Sequence, residues 1–160
     1  MLNVAIALVP VVAFLATLLL MDSFKLVSWR GVGFALLAGG LAAYGASFLN
    51  LHLADELRLP LHVLSRYVAP LTEEALKALY VLFLVRRGRV GFLVDAAILG
   101  FAVGTGFALF ENLEYLRALT DRRLLLWMVR GFGTALLHGG TTAILATVAK
   151  ALYDRRGDRA

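Results

Sequence analysis

Long apolar stretches separated by short polar connectors constrain this chain more than any other feature. Five of them are long enough to cross a hydrocarbon core of about 30 Å, at about 2–21, 32–53, 61–85, 91–116 and 124–149. Hydrophobic residues make up 61% of the sequence, whereas soluble domains hold roughly 45–50%. We therefore predict an all-α polytopic transmembrane helical bundle of about five spans, with residues 1–160 forming a single integral membrane domain.

Basic residues lie mostly in the connectors, which argues against nucleic acid as a partner and for a bilayer. Positive charge beside membrane spans sets topology and attracts anionic head groups. With the N-terminus outside, the inner segments hold nine of them: Lys25, Arg30, Arg86, Arg87, Arg89, Lys150, Arg155, Arg156 and Arg159. The outer segments hold four: Arg58, Arg117, Arg122 and Arg123. The count favours N-terminus outside and C-terminus in the cytoplasm.

Within the predicted spans, Asp, Glu, Lys and Arg residues are confined to the last three. An ionised side chain at the centre of a span costs on the order of 2.5–3.5 kcal/mol or more, so such residues usually serve a function. The third span contains Glu73, Glu74 and Lys77. Glu73 and Lys77 are one helical turn apart and are expected to pair, while Glu74 points about 100° away from Glu73.

The fourth and fifth spans each have one helical face that carries a candidate functional residue. Gly100, Gly104, Phe107 and Glu111 share a helical face in the fourth span, where small residues let a neighbouring helix approach closely. In the fifth span His138 and Thr142 are one turn apart, so the hydroxyl is expected to support the histidine. Arg130 is expected to snorkel or to pair with the carboxylates.

Carboxylates and an imidazole on facing helices suit hydrolytic chemistry in two ways. Zn²⁺ accepts such ligands and leaves a position open for water, with a further glutamate as general base. Without metal, two glutamates sharing a proton could activate the water instead. The residues alone leave both mechanisms open.

Three motifs in successive spans resemble the PrsW family of intramembrane proteases, which is related to the CAAX-processing membrane proteases. The family pattern reads E-E-x-x-K, then G-F-A-x-x-E-N, then H-x-x-x-T. The matching segments are Thr72-Glu73-Glu74-Ala-Leu-Lys77, Gly106-Phe-Ala-Leu-Phe-Glu111-Asn112 and His138-Gly-Gly-Thr-Thr142. Together they cover roughly residues 70–142.

The resemblance implies an intramembrane endopeptidase, of metallo- or glutamic type, in a prokaryotic cell membrane. It implies a membrane-anchored substrate protein, similar to an anti-sigma factor, cut near the extracytoplasmic face. Catalytic roles fall on Glu73, Glu74, Glu111, Asn112 and His138, with Lys77 and Thr142 in support. A zinc ion would be held by Glu74, Glu111 and His138, with Glu73 as base and Asn112 or a backbone group facing the oxyanion. The roles of Glu73 and Glu74 as base and as ligand could also be reversed.

Two functions of other classes also fit buried polar groups. A proton-coupled carrier would use the carboxylates and the histidine as a relay, but it would be expected to show a repeated architecture, and this sequence has none. A non-catalytic scaffold would grip other helices through its small-residue faces. The sequence contains no H-E-x-x-H and no G-x-S-x-G, which excludes two other types of membrane protease.

Overall fold

The computed structural model describes residues 2–21, 27–118 and 124–157, and within these ranges the chain is helical without strands. The α-helices are listed here in chain order: α1 (Leu2–Met21), α2 (Trp29–Glu56), α3 (Leu61–Val63), α4 (Ala69–Arg86), α5 (Leu93–Ala118), α6 (Leu124–Thr134) and α7 (Gly140–Gly157). Two π-helical turns, Leu64–Val68 and Ala135–Gly139, join α3 to α4 and α6 to α7.

Each predicted span overlaps a helical stretch, so the all-α prediction is confirmed. Two stretches are longer than predicted, 29–56 against 32–53 and 124–157 against 124–149. Since the π-helical turns continue the helices on either side, the chain runs helically over 61–86 and 124–157. The predicted bounds 61–85 and 91–116 differ from the observed ones by only one or two residues. Several residues used to predict the topology lie outside the described ranges, namely Lys25, Arg122, Arg123 and Arg159.

Three helical segments of the described residues are long and apolar enough to cross a membrane: Trp29–Glu56, Leu93–Ala118 and Leu125–Gly157. A shorter apolar helix covers Leu8–Leu20. The third predicted span, 61–85, is not among them, because it contains Glu73, Glu74 and Lys77. Apolar side chains cover the outer surface of the bundle, as the lipid-facing surface of a membrane protein requires.

Helix α5 is the centre of the bundle, with 72% of its apolar window buried, against 28% for α2 and 24% for the segment containing α7. Glycines allow this packing. A Cβ on Gly106 would lie 2.0 Å from the Leu36 carbonyl oxygen of α2, and one on Gly104 would lie 2.0 Å from the His138 carbonyl oxygen. Small residues therefore bring the backbones of α2 and of the second π-helical turn directly against α5.

Helices α1 and α4 complete the bundle, α1 mainly against α5 and α6 and α4 mainly against α2 and α7. Phe14 of α1 meets Phe132 of α6 edge to face, with ring centroids 6.2 Å apart. Thr72 of α4 donates a hydrogen bond of 2.6 Å to Asn50 of α2. Helix α4 and the second π-helical turn both lie beside α5. Polar residues of these two segments meet next to α5.

Candidate active site

Lys77 is completely buried and pairs with Glu74. Its Nζ lies 2.6 Å from Glu74 Oε1, and none of the Lys77 side chain is exposed. The sequence predicted a pair with Glu73 instead, and this partner differs in the structure. Residues three and four apart are both within reach on a helix, and the choice follows from the direction of Lys77, which extends toward Phe107 and His138.

Two further contacts offset the burial of the Lys77 charge. The Phe107 ring lies under the ammonium group, 4.7 Å from Nζ to its centroid, which is a favourable cation–π distance. His138 Nδ1 lies 3.1 Å from the same nitrogen. A buried ammonium group is tolerated only when its charge and its protons are matched, and here Glu74, Phe107 and His138 match them.

His138 lies in the second π-helical turn, and both of its ring nitrogens are occupied. Nδ1 faces Lys77 Nζ, while Nε2 lies 2.9 Å from Glu111 Oε2. A protonated lysine can only donate and a carboxylate can only accept. We therefore assign the neutral imidazole its proton on Nε2, which donates to Glu111, and its lone pair on Nδ1, which accepts from Lys77.

Glu111 extends the contacts to α6. Its Oε1 lies 3.1 Å from Arg130 Nη2, and the Arg130 guanidinium lies 3.3 Å from the centroid of the Tyr115 ring. The predicted pairing of Arg130 with a carboxylate is therefore present. We call the connected set the polar network: Glu74, Lys77, His138, Glu111 and Arg130.

Glu73 stands beside the polar network without joining it. It is partly buried and lies within electrostatic range of Glu111, His138 and Lys77. It makes no hydrogen bond and no ion pair in the described part of the chain. The polar network has two carboxylates and two permanent cations, so Glu73 contributes the one carboxylate without a matching cation.

Thr142 and Asn112 each make a hydrogen bond that fixes part of the site, and the oxyanion role of Asn112 stays a prediction. Thr142 is fully buried and its hydroxyl donates to the backbone carbonyl of His138 at 2.7 Å, not to the imidazole. Asn112 is also fully buried, and its Nδ2 donates to Thr134 Oγ1 at 2.9 Å. Thr142 thus supports the backbone of the π-helical turn, and Asn112 joins α5 to α6.

Sequence reasoning did not assign Thr141 or Phe107 to the site. Thr141 is exposed, and its hydroxyl lies 3.4 Å from Glu74 Oε1 while donating to the Leu137 carbonyl at 2.6 Å. The Phe107 ring lies 4.8 Å from the imidazole, centroid to centroid. The position of Phe107 on the stripe with Gly104 and Glu111 was the available signal; Thr141 depends on the π-helical turn, which sequence periodicity does not reveal.

The π-helical turn itself explains how His138 reaches Glu111. Such a turn inserts an extra residue into a helix and is common at functional sites. Gly104 lets the backbone of this turn approach α5, since a Cβ there would lie 2.0 Å from the His138 carbonyl oxygen. In this arrangement the side chains of Glu111 and His138 meet directly.

The predicted zinc ligands do not converge in this arrangement. Among the described residues, no three His, Cys, Asp or Glu side chains are grouped as a metal site. His138 and Glu111 are adjacent, but the Lys77 ammonium group stands between His138 Nδ1 and Glu74. A second cation would be repelled there, so this donor set does not fit a metal ion and the zinc site stays a prediction.

The arrangement suits proton transfer next to fixed positive charge. A partly buried carboxylate without a hydrogen-bond donor can accept a proton from water. Buried cations held nearby can stabilise negative charge that develops on a substrate. The side chain of Glu74 is 42% exposed, compared with 14% for His138, so the site opens toward the surface at the Glu74 end.

A comparison with known families gives a match over residues 27–160, to the family described as PrsW family intramembrane metalloprotease. The matched region contains every helix from α2 onward and all residues of the candidate site. No curated protein and no solved structure matches the chain.

Proposed function

The chain belongs to the PrsW family of intramembrane proteases, and we propose that Glu73 is the general base with which it hydrolyses a membrane-anchored protein. One observation carries this assignment. Glu73 is the carboxylate that no cation holds, yet it lies within electrostatic range of His138, Lys77 and Glu111. Glu74 is already bound to Lys77 at 2.6 Å, so it is less suited to accept a proton.

In the proposed reaction, a water molecule beside Glu73 attacks the carbonyl carbon of the scissile peptide bond. Glu73 takes one proton from the water as the new carbon–oxygen bond forms. It then gives that proton to the peptide nitrogen as the carbon–nitrogen bond breaks. The products are a carboxylic acid and an amine, and Glu73 returns to its ionised form. Positioned acid–base catalysis of this kind contributes about 10²–10⁴-fold in rate.

The polar network supplies the positive charge that the tetrahedral intermediate needs. Lys77 and Arg130 are both held in place, by Glu74 and by Glu111. Preorganised charge in a site of low dielectric stabilises an oxyanion without further reorganisation. His138 connects the two ion pairs, so we assign it the role of holding them at a fixed separation.

The substrate is proposed to enter between α4 and α7. Glu74 of α4 and Thr141 of α7 approach each other there at an exposed edge. Apolar side chains flank that edge, with Leu71 72% and Leu137 65% exposed, as expected of a surface facing lipid. A substrate span arriving through the bilayer would reach Glu73 past Glu74, after unwinding, because a helix hides its peptide bonds.

The substrate class and the topology rest on the sequence. The resemblance of the three motifs favours a target similar to an anti-sigma factor, cut near the extracytoplasmic face of a prokaryotic cell membrane. The distribution of lysine and arginine favours an N-terminus outside and a cytoplasmic C-terminus.

Mass spectrometry of new protein termini tests this proposal. Cells expressing the parent chain or Glu73→Gln would be compared, with Glu56→Gln, an exposed glutamate at the end of α2, as the matched control. We expect new termini within or beside single membrane spans in the parent and in Glu56→Gln, and none in Glu73→Gln. The same termini in Glu73→Gln would reject Glu73 as the base, and their absence from all three strains would reject proteolysis itself.

A further inference from the structure

Arg130 of α6 contacts two residues of α5, which hold different parts of its guanidinium group. Glu111 and Tyr115 are one helical turn apart, so their side chains share a face of α5. Glu111 Oε1 lies 3.1 Å from Nη2, at the edge of the group. The centroid of the Tyr115 ring lies 3.3 Å from the central carbon, Cζ. The carboxylate therefore contacts the edge of the guanidinium group, and the ring covers its face.

Hydrogen bonds do not determine the orientation of this guanidinium group. Its Nε and Nη2 atoms are buried and form no hydrogen bond with a described residue, although Nη2 lies within ion-pair distance of Glu111. An ion pair without aligned N–H groups depends on distance more than on direction. A guanidinium group is planar and stacks on aromatic faces, so the Tyr115 ring restricts the plane that the ion pair leaves free.

Without the ring, Arg130 has another favourable position. Helix α5 ends at Ala118, three residues after Tyr115, so the pair lies near one end of the span. Long basic side chains near the end of a span extend toward the bilayer surface, where water and head groups solvate the charge. That movement would separate Arg130 from Glu111 and leave the polar network with one permanent cation. The attraction of a partly buried cation to an aromatic face opposes it.

The contact is made by the ring of Tyr115 and not by its hydroxyl group. The residue is 38% exposed, and the hydroxyl forms no hydrogen bond with a described residue. The negative charge on the ring face comes from the π electrons, which phenylalanine also has. Phenylalanine at this position would therefore keep the contact, whereas an aliphatic side chain would lose it.

We propose that Tyr115 is a positioning residue for the hydrolysis, which holds Arg130 beside Glu111 so that its charge can stabilise the oxyanion. This inference rests on the proposed function, because Arg130 has that task only if the chain hydrolyses a peptide bond. Tyr115 acts through Arg130 and not on the reacting atoms. Its loss would therefore lower kcat and leave KM unchanged, which a general loss of folded protein or of substrate binding would not do.

Substitutions at Tyr115 test the proposal in the full chain, reconstituted with one defined substrate. Tyr115→Phe keeps the ring face and is expected to keep kcat, while Tyr115→Leu is expected to lower it about tenfold. In a third variant pentafluorophenylalanine replaces Tyr115. This ring has a similar size, but its fluorine atoms withdraw the π electrons, so we expect the same loss as in Tyr115→Leu. A kcat equal to that of Tyr115→Phe would overturn the proposal.

Phe83 offers a matched control for the fluorinated ring. Arg87 lies over it, with 5.5 Å between Cζ and the ring centroid, and this pair is outside the polar network. We expect pentafluorophenylalanine in place of Phe83 to leave kcat unchanged. An equal loss at both positions would show that fluorination itself lowers the rate, and would reject the proposal.

Nuclear magnetic resonance of labelled arginine tests the contact without any activity. Protons over an aromatic face are shifted to lower frequency, so the Arg130 signal should be shifted in the parent and in Tyr115→Phe and not in Tyr115→Leu. Arg130→Lys identifies the signal by removing it. An unshifted signal in the parent would reject the contact and the inference while Glu73 keeps its role. A shifted signal in a chain that cleaves no substrate would reject the proposed function, and with it the oxyanion role of Arg130.

Discussion

Lys77 Nζ lies 3.1 Å from His138 Nδ1, inside the bundle and between α4 and the second π-helical turn. A lysine ammonium group beside an imidazole nitrogen requires that nitrogen to accept. The contact therefore determines which tautomer His138 adopts and which of its nitrogens faces Glu111. It also joins the two segments that carry the candidate catalytic residues.

Replacing Lys77 by methionine is expected to release His138 from that tautomer. Nitrogen-15 NMR of labelled protein should show a neutral imidazole protonated on Nε2 in the parent and a mixture of tautomers in Lys77→Met. Cleavage should fall by about 10²-fold, comparable with the loss of one preorganised charged group.

Lys150→Met is the matched control for this change. Lys150 is also nearly buried and also pairs with a carboxylate of its own helix, Asp154, at 2.5 Å, but it lies outside the polar network. We expect the His138 imidazole spectrum and the cleavage rate of Lys150→Met to equal those of the parent. An unchanged His138 spectrum in Lys77→Met would show that Lys77 does not determine the tautomer.

Glu73→Gln and Glu74→Gln are expected to differ in their effect on the cleavage rate. The first removes the proposed base and should cost about 10²–10⁴-fold. The second keeps the shape of the Lys77 partner and an acceptor oxygen, so it should cost about tenfold, comparable with weakening a hydrogen bond to a charged group. Single-turnover rates with one defined substrate would compare the two variants. A greater loss in Glu74→Gln would indicate that Glu74, and not Glu73, is the general base.

Gly104→Ala is expected to disable the site without unfolding the bundle. Its Cβ would lie 2.0 Å from the His138 carbonyl oxygen and 2.7 Å from the Gly139 Cα, so the π-helical turn must move and His138 with it. We expect a large loss of cleavage.

Gly33→Ala controls for the change of residue type, since its Cβ would meet no atom within 4 Å. In an open helical position, alanine is favoured over glycine by about 0.8–1.0 kcal/mol, so this variant should unfold no more readily than the parent. Full activity of Gly104→Ala in the same assay would show that the close approach of the two backbones is not required.

The sequence predicted most helix positions because hydrophobic length sets them, although the last helical stretch continues to residue 157, beyond the predicted 149. The spans predicted at 61–85 and 91–116 end within two residues of the observed helices, since Arg86, Arg87 and Gly88 interrupt the apolar pattern. The stripe of Gly100, Gly104 and Phe107 was also predicted to face a neighbour. Gly104 does so against His138, because the 100° periodicity of a helix determines which residues share a face.

The contacts within the site were predicted less well, for two physical reasons. On a helix, residues three and four apart are equally accessible to a long side chain, so the choice of Glu74 over Glu73 by Lys77 depends on His138 and Phe107 from other helices. Sequence periodicity also assumes a regular α-helix. The π-helical turn at Ala135–Gly139 changes the register around His138. The Thr142 hydroxyl donates to the carbonyl four residues earlier, as helical threonines commonly do.

Removing divalent metal ions is expected to leave cleavage intact, as a consequence of where the two cations of the polar network lie. Lys77 already occupies the position beside His138 Nδ1, and Arg130 already matches Glu111, so a zinc ion would have to displace both. Reconstituted protein, dialysed against a strong chelator and checked for metal by mass spectrometry, should cleave its substrate at the undialysed rate. A rate that is lost on dialysis and restored by zinc would contradict this prediction and show that cleavage needs the ion. The role of general base would then have to be assigned in the metal-bound arrangement.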